Sequence, residues 1–341
     1  MTTWVQAHQR AAVLAAELHA DLEINLSQQV NVFDAVDRMG LVLAFAPIGR
    51  VSGMYLPGGL STGILINSEH PRTRQRFTAA HELGHHAFGH SIEIDREHIE
   101  STKTNVNRWT DDEKEAEAFG AWFLMPRRLI RAGMKDLGIE RLTHPMQAYA
   151  LSLWLGTSWT ATARQLSATK LITESQEESW LTIEPKEMKA QILGSRTPAH
   201  FRQDVWRLNE HIGDRLVSAT PGDQIVLSLD EIPSSGYMWR IENLPFGVRL
   251  IADSAIDDWN PANLEQQESE TVDDITGNSV ARSFLLEVLH SEESRTAHVK
   301  LVRDRAWDPG APESSRFEIS LAIEPKLSGV QVSPADFALT H

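Results

Sequence analysis

The chain has 341 residues, more than one average domain, which favours two or three domains. Its net charge of −15 is concentrated in residues 171–341, with 15 Lys and Arg against 29 Asp and Glu, whereas residues 1–170 hold 17 against 18. An acidic surface of this kind disfavours nonspecific binding to nucleic acid. The sequence has no cysteine, which excludes disulfides, thiolate metal ligands and a cysteine nucleophile.

Residues 4–20 alternate apolar and polar positions at helical spacing, and charged residues such as Arg10 and Glu17 interrupt the apolar positions. This pattern predicts an amphipathic helix and not a signal peptide. No apolar run approaches the ~18–20 residues that a membrane span requires. We therefore expect a soluble cytoplasmic protein without a membrane-bound part.

A short helix and a small sheet are predicted next. Asn31 can cap a helix over 32–39, and three apolar segments then read as strands at 41–45, 51–57 and 63–67. A sheet at this place leads directly into the next helix. An exposed sheet edge beside an active site can bind a peptide substrate as an added strand.

Residues 72–90 contain the pattern His81-Glu82-Leu83-Gly84-His85. On a helix, positions i and i+4 share a face, so His81 and His85 can bind one Zn²⁺ while Glu82 lies beside it. A catalytic zinc site adds a third ligand and leaves one position for water, and a neighbouring carboxylate serves as general base. Glu82 is the candidate base. The alternative is a chance pattern with solvated histidines.

The third ligand is sought in the helix predicted from Asp111 to Pro126, whose acidic start suits the positive end of a helix dipole. Glu115 shares a face with Ala118, Phe119 and Trp122, so its carboxylate points inward and needs a partner. Glu113 lies on a more polar side. We expect Glu115 rather than Glu113 to be the ligand. Tyr55, in the strand before the active helix, is a candidate donor to the oxyanion of the reaction.

Residues 148–171 predict two helices joined by a turn at Gly156, with Ser158 as the second cap. This resembles a helix-turn-helix, in which Arg164 and Gln165 would be the base readers. A packed accessory pair of helices, or a surface that recognises a protein substrate, is the competing interpretation.

Residues 5–170 resemble the ImmA/IrrE family of zinc metallo-endopeptidases. The resemblance lies in the small sheet and in the segments RQRFTAAHELGHHAFGH and EKEAEAFGAWFLMP. The resemblance implies a zincin-like α+β domain, Zn²⁺ held by His81, His85 and Glu115, and Glu82 as general base. It also implies limited proteolysis of a protein substrate such as a helix-turn-helix transcriptional repressor. Glu117 departs from the family, which usually carries Asn there.

Residues 172–203 are polar and read as a connector, helical in part around 186–193. Residues 204–326 then change character, because about seven short alternating segments are separated by turn signals. This predicts an all-β sandwich of immunoglobulin-like type. No nucleophile or ligand cluster stands out in it, so a binding module is the natural class.

Four segments of this part resemble the chagasin family of cysteine-protease inhibitors. They are the turn Pro221-Gly222-Asp223, the segment EIPSSGYMW, a turn at Gly277 and the segment RAWDP. The resemblance implies that two loops could bind a papain-like protease. Ile232 and Ala306 depart from the residues usual in that family. The partner-binding residues implied are Pro233, Ser234, Ser235, Gly236, Tyr237, Arg305 and Trp307. A sandwich that keeps its aromatic residues for packing is the alternative.

The expected organisation is a multidomain chain in which a metallopeptidase domain precedes a sandwich. The predicted parts are a peptidase domain, a helix-turn-helix-like extension, a connector, the sandwich and a tail, at 1–126, 127–171, 172–203, 204–326 and 327–341. The leading hypothesis is a zinc endopeptidase whose sandwich recognises or restrains a protein. A protease-inhibiting binding protein and a DNA-binding regulator are the alternatives, and the acidity of the chain makes nucleic acid an unlikely partner.

Overall fold

The computed structural model describes residues 2–58, 62–90, 109–194, 203–210, 216–254, 280–289, 291, 293–305, 307, 308, 310 and 315–331. The chain forms two compact units. The first comprises Met1–Lys135, Ile139–Leu181 and Leu327–His341, and the second comprises Asp136–Gly138 and Thr182–Lys326. The mixed helical and sheet content agrees with the expected multidomain α+β class.

The first unit carries helices on a small sheet. Its helices are α1 (Trp4–Asp21), α2 (Val32–Arg38), α3 (Arg72–Phe88), α4 (Asp111–Leu124), α5 (Arg127–Asp136), α6 (Pro145–Leu155), α7 (Trp159–Ala168) and α8 (Glu174–Leu181). Its strands are β1 (Val42–Ala46), β2 (Gly53–Leu56), β3 (Gly63–Asn67) and β12 (Gly329–Gln331). Every helix and strand predicted for residues 4–67 is present. None of the described helices combines the length and apolar character that crossing a membrane requires.

Local capping explains where these helices begin and end. The Thr3 side chain accepts a hydrogen bond from the N–H of Gln6 at the start of α1, and the Asn31 side chain accepts one from Asp34 in α2. At the C-terminal end of α3, the helix that carries His81 and His85, Gly89 adopts a left-handed conformation with φ of 71°. Glycine takes this conformation without a Cβ clash, so α3 stops there.

The sheet of the first unit has the order β12-β1-β3-β2. Strands β1 and β3 are parallel, whereas β2 pairs antiparallel with β3, and β12 pairs antiparallel with β1. Strand β2 contacts the active helix α3, which in turn packs against α4. Helix α4 also packs on α1, so it lies between two helices and presents different side chains to each. Phe119, Phe123 and Leu124 of α4 are fully buried.

The helix-turn-helix-like segment has the predicted shape. Gly156 is left-handed with φ of 65°, and the Ser158 side chain caps α7 by accepting from the N–H of Ala161. However, Gln165 is 2% exposed and donates from Nε2 to the carbonyl of Met125 at 3.2 Å. One of the two candidate base readers is therefore occupied inside the protein, which favours a packed accessory pair.

The second unit contains α9 (Pro185–Leu193) and two four-stranded sheets. The strands are β4 (Val205–Asn209), β5 (Leu216–Ala219), β6 (Gln224–Glu231), β7 (Met238–Asn243), β8 (Val248–Ser254), β9 (Val280–Val288), β10 (Arg295–Asp304) and β11 (Ser315–Ile323). The sheet orders are β5-β11-β10-β7 and β4-β6-β9-β8. Alternate residues of both sheets form one apolar core that includes Trp239, Phe284 and Val299.

The seven strands predicted between 215 and 323 are present. Strands β4 and β12 and helix α8 were not predicted. The predicted turn at Gly277, and Ala306 and Pro309 of the RAWDP segment, lie outside the described residues.

Candidate metal centre

Helix α3 places His81 and His85 one turn apart on the same face. Their Nε2 atoms lie 3.1 Å apart, and the two rings meet edge to face with centroids 4.9 Å apart. The side chains are mostly buried, with exposed fractions of 16% and 14%. Helix α3 is anchored to the sheet, because Gln75 Nε2 donates to the carbonyl of Asn67 at the end of β3. The predicted pair of histidines is therefore assembled by local helix geometry.

Glu113, in the first turn of α4, completes the group. Its Oε2 lies 3.3 Å from Nε2 of His81, and its Oε1 lies 3.4 Å from Nε2 of His85. One potential ligand atom from each of the three side chains lies within 4.8 Å of the others. The carboxylate thus faces both imidazole nitrogens on the side from which a metal would bind.

The spacing of the two imidazole nitrogens fits a tetrahedral zinc ion. Ligand atoms at ~2.0–2.1 Å from a tetrahedral ion lie about 3.3 Å from one another. The two Nε2 atoms, 3.1 Å apart, are close to that value, and Glu113 approaches one nitrogen with Oε2 at 3.3 Å and the other with Oε1 at 3.4 Å. Two imidazoles and one carboxylate are also a ligand set that catalytic zinc uses, with the fourth position left for water or substrate.

Glu115, the ligand preferred from the sequence, does not join this group. Its carboxylate is buried, with 4% of the residue exposed, but it forms an ion pair with Arg10 and lies 3.3 Å from Nε2 of His90. The inward-facing stripe of α4 correctly indicated that Glu115 is buried and partnered. It could not indicate the partner, because α4 packs on α1 as well as on α3. The structure places Glu113, the alternative, beside the two histidines.

Glu82 lies on α3 against strand β2. A Cβ on Gly53 would be 3.5 Å from Oε1 of Glu82, and the backbone N–H of Tyr55 donates to this carboxylate. Burial raises the pKa of Glu82, opposed by the positive charges of His81 and His85. A general base works best when its pKa approaches the working pH, so the direction of this shift suits a proton acceptor.

Burial and hydrogen bonds shift the pKa values of His81 and Glu113. Burial opposes protonation of His81, but hydrogen bonds to Glu113 and Glu117 raise its pKa well above the usual value. Although burial disfavours the charged carboxylate, hydrogen bonds to His81 and His85 lower the pKa of Glu113 strongly. Without a metal, a proton is therefore held on His81 against the Glu113 carboxylate. A bound cation would take the place of that proton.

Tyr55, the predicted oxyanion donor, lies on β2 beside the active helix. Its hydroxyl is 2.9 Å from Nδ1 of His86, and the two rings meet edge to face. Burial raises the pKa of the Tyr55 hydroxyl, so this group stays protonated at neutral pH. His86 is thus the partner that positions Tyr55.

Glu117, noted in the sequence as a departure from the ImmA/IrrE pattern, lies beside the site, with its Oε2 3.4 Å from Nδ1 of His81. Two further residues around the site were missed from the sequence, His90 and Arg10, and both contact Glu115. No local signal identifies Arg10, which belongs to a helix 105 residues away from Glu115 along the chain.

The loop residues predicted in the second unit come together. Arg305 donates to the carbonyl of Ser235 at 3.0 Å, and its guanidinium lies over the Tyr237 ring at 4.6 Å. Gly236 has φ of 75°, and a Cβ there would lie 2.8 Å from the Trp307 ring. Trp307 is 63% exposed. Ser234 is also exposed, and Pro233 begins the short 3₁₀ helix Pro233–Ser235. These loops therefore form one contiguous cluster with an exposed indole.

Comparison with known families and structures adds the following findings. Residues 36–141 match the peptidase M78 family model, described as the IrrE N-terminal-like domain. This confirms the predicted resemblance for that part of the chain and supports a peptidase-like function. No curated protein matches the chain by sequence.

Among solved structures, the cysteine protease inhibitor EhICP2 from Entamoeba histolytica is 22% identical, covers 36% of this chain and 97% of its own, and gives a TM-score of 0.27. The solution structure of amebosin is 15% identical, covers 36% of this chain and 98% of its own, and gives a TM-score of 0.27.

Proposed function

We propose that the first unit is a zincin-like, zinc-dependent endopeptidase. The observation that carries this proposal is the meeting of His81, His85 and Glu113, whose potential ligand atoms lie within 4.8 Å of one another, with the two Nε2 atoms 3.1 Å apart, close to the edge of a tetrahedral zinc site. The presence of Glu82 on the same helix adds a base. The match of residues 36–141 to a peptidase family supports the same class of reaction.

The residues divide the work of peptide hydrolysis. Zinc, when bound, supplies Lewis-acid chemistry at the scissile carbonyl and acidifies water. Glu82 accepts a proton from the attacking water and passes it to the leaving amine, held in place by the backbone N–H of Tyr55. The Tyr55 hydroxyl, held by His86, is the proposed donor to the developing oxyanion.

Strand β2 offers a route for the substrate. It is the last strand in the order β12-β1-β3-β2 and pairs with β3 on one side. Within the described residues, no strand pairs with its other edge. A peptide added there would run beside the helix that carries Glu82. This geometry favours an extended segment of a protein substrate, and the resemblance to ImmA/IrrE proteins nominates a transcriptional repressor.

The test separates metal binding from chemistry. Glu82→Gln should retain zinc, measured by competition with a chelator, and should lose at least ~10²-fold in cleavage of a quenched-fluorescent peptide library. His81→Ala and Glu113→Ala should lose zinc and cleavage together. Wild-type rates in Glu82→Gln would remove Glu82 from the mechanism, and a wild-type protein that binds no zinc would overturn the whole proposal.

The loop cluster of the second unit supports a second candidate function. We infer that this immunoglobulin-like sandwich binds a protein through Trp307 and the residues beside it, and a papain-like protease is the partner that the sequence resemblance nominates. In the full chain carrying Glu82→Gln, Trp307→Ala should weaken inhibition of such a protease at least tenfold. Phe246→Ala, which removes another exposed aromatic side chain, is the matched control. Equal inhibition by both variants would contradict this use of the loops.

A further inference from the structure

A line of polar contacts extends from His85 away from the metal side of the site. Nδ1 of His85 lies 3.0 Å from Nδ1 of His90. Nε2 of His90 lies 3.3 Å from Oε2 of Glu115, and the other oxygen of Glu115 forms an ion pair with Arg10. Three separate segments, α3 with His90 just beyond its end, α4 and α1, therefore meet behind one proposed ligand.

The line is built into the protein interior. The side chains of His90 and Glu115 are 8% and 5% exposed. His90 is fixed by its backbone N–H, which donates to the carbonyl of His85 at 2.9 Å, and by its ring, which stacks on Phe88 at 5.3 Å. The Arg10 guanidinium also lies over the Phe88 ring, at 5.6 Å. A second carboxylate, Asp112, is farther from His90, at 3.7 Å, and is half exposed.

One set of ring tautomers satisfies every member of the line. A neutral His85 that offers the Nε2 lone pair to a metal carries its proton on Nδ1 and can donate it to Nδ1 of His90. His90 then carries its own proton on Nε2 and donates it to the Glu115 carboxylate. Arg10 donates to the remaining oxygen of Glu115. Each donor meets an acceptor, and the direction of donation fixes which nitrogen of His85 faces the metal.

We infer that His90, Glu115 and Arg10 form a positioning relay that fixes the tautomer and ring orientation of His85, with Glu115 acting through His90 and not as a ligand. This inference rests on the proposed zinc site. His81 obtains the equivalent support directly, from Glu117 at 3.4 Å from its Nδ1. Helix α4 thus supplies the carboxylate ligand Glu113 and the outer carboxylates behind both histidines. Such outer carboxylates orient the ligand imidazole and raise its basicity.

The relay predicts a graded loss of metal affinity. Glu115→Gln and His90→Gln should each weaken zinc binding ~10–100-fold, measured by chelator competition on the full chain. Arg10→Gln should have a smaller effect, because the Arg10 side chain is 59% exposed. Asp112→Asn is the matched control and should bind zinc as the wild type does. In all relay variants, the visible spectrum of the Co²⁺-substituted protein should keep the intensity of a four-coordinate site.

Several outcomes would overturn the relay while leaving the zinc site intact. Wild-type affinity in both Glu115→Gln and His90→Gln would do so. So would a Co²⁺ spectrum in Glu115→Gln that collapses as it does in Glu113→Gln, since Glu115 would then be a ligand. Thermal unfolding of the metal-free variants shows whether a variant has a folding defect. Arg10→Gln and His90→Gln perturb the relay from chain segments other than α4, which carries Glu115. If the wild type binds neither Zn²⁺ nor Co²⁺, the proposed function itself fails.

Discussion

Asp223 is a buried carboxylate at the start of β6 in the second unit. It accepts hydrogen bonds from the backbone N–H groups of Thr220 and Asp204, each at 2.8 Å. Burial, followed by the nearby charge of Asp204, raises the pKa of Asp223 to about 7 from its ordinary value of 3.8. Between those two values the folded state holds a proton that the unfolded state has lost.

The pH dependence of stability follows from that difference. Because the unfolded state binds fewer protons in this window, the stability of the second unit should fall as pH rises from about 4 to 7. The measurement is the free energy of opening of the β6 and β9 peptides by hydrogen exchange, corrected for the intrinsic exchange rate at each pH. Asp223→Asn should flatten the dependence. A stability that rises across the window would contradict the raised pKa.

At the same scale, the sequence identified some site residues and not others for a physical reason. His81, Glu82 and His85 are linked by helix periodicity alone, so their proximity follows from local sequence. The choice between Glu113 and Glu115 depends on how α4 is rotated between α1 and α3, which is a tertiary property. The inference that a buried Glu115 needs a partner was sound, but Arg10 is distant in sequence.

Helices α3 and α4 approach closely at two glycines, and this contact sets where Glu113 meets the histidines. A Cβ on Gly84 would lie 3.0 Å from Cδ1 of Phe119 and 3.2 Å from Cα of Ala116. A Cβ on Gly120 would lie 3.3 Å from the backbone nitrogen of His81. Phe119 is fully buried, so it has little room to move.

Gly84→Ala should therefore push α4 away from α3 and lower zinc affinity at least tenfold, because overpacking of ~1–3 kcal/mol acts on the helix that carries Glu113. Gly120→Ala should have a smaller effect in the same direction. Gly310→Ala, whose Cβ would meet little, is the control. Chelator competition measures all three. Unchanged affinity in Gly84→Ala would show that α4 adjusts without moving Glu113.

Elements with a strong periodic pattern were predictable, and short exposed ones were not. Helices α1, α3 and α4 and most strands of the second unit carry a buried face that the sequence displays. Strand β12 is three residues long with all of them exposed, so no apolar alternation marks it. Strand β12 forms because it pairs with the edge of β1, and β1 lies nearly 290 residues earlier in the chain.

At the scale of the whole molecule, the second unit is largely an insertion within the first. The chain leaves the first unit after Leu181 and rejoins it at Leu327. The sequence suggested five parts in succession ending in a tail at 327–341. In the structure, Gly329, Val330 and Gln331 pair with Phe45, Ala44 and Leu43 of β1. Residues that follow the sandwich in the chain therefore supply the edge strand β12 of the first unit's sheet.

This pairing predicts different consequences for two truncations. A chain ending at Lys326 loses β12 and exposes the edge of β1, where Val42 is already 43% exposed. A chain ending at Gln331 keeps the pairing and is the matched control. Each hydrogen bond lost removes ~0.5–1.5 kcal/mol, and 1 kcal/mol shifts Tm by about 2–4 °C in a unit of this size.

The chain ending at Lys326 should therefore unfold at least ~2 °C lower in its first unit and associate with increasing concentration, because an unpaired strand edge is a template for pairing with another copy. Calorimetry and light scattering after size-exclusion chromatography measure the two effects. The loss of β12 is the cause of these two effects only if the control, the chain ending at Gln331, behaves as the full chain does. Identical Tm and monomeric behaviour in both truncated chains would mean that β12 neither stabilises the first unit nor shields β1.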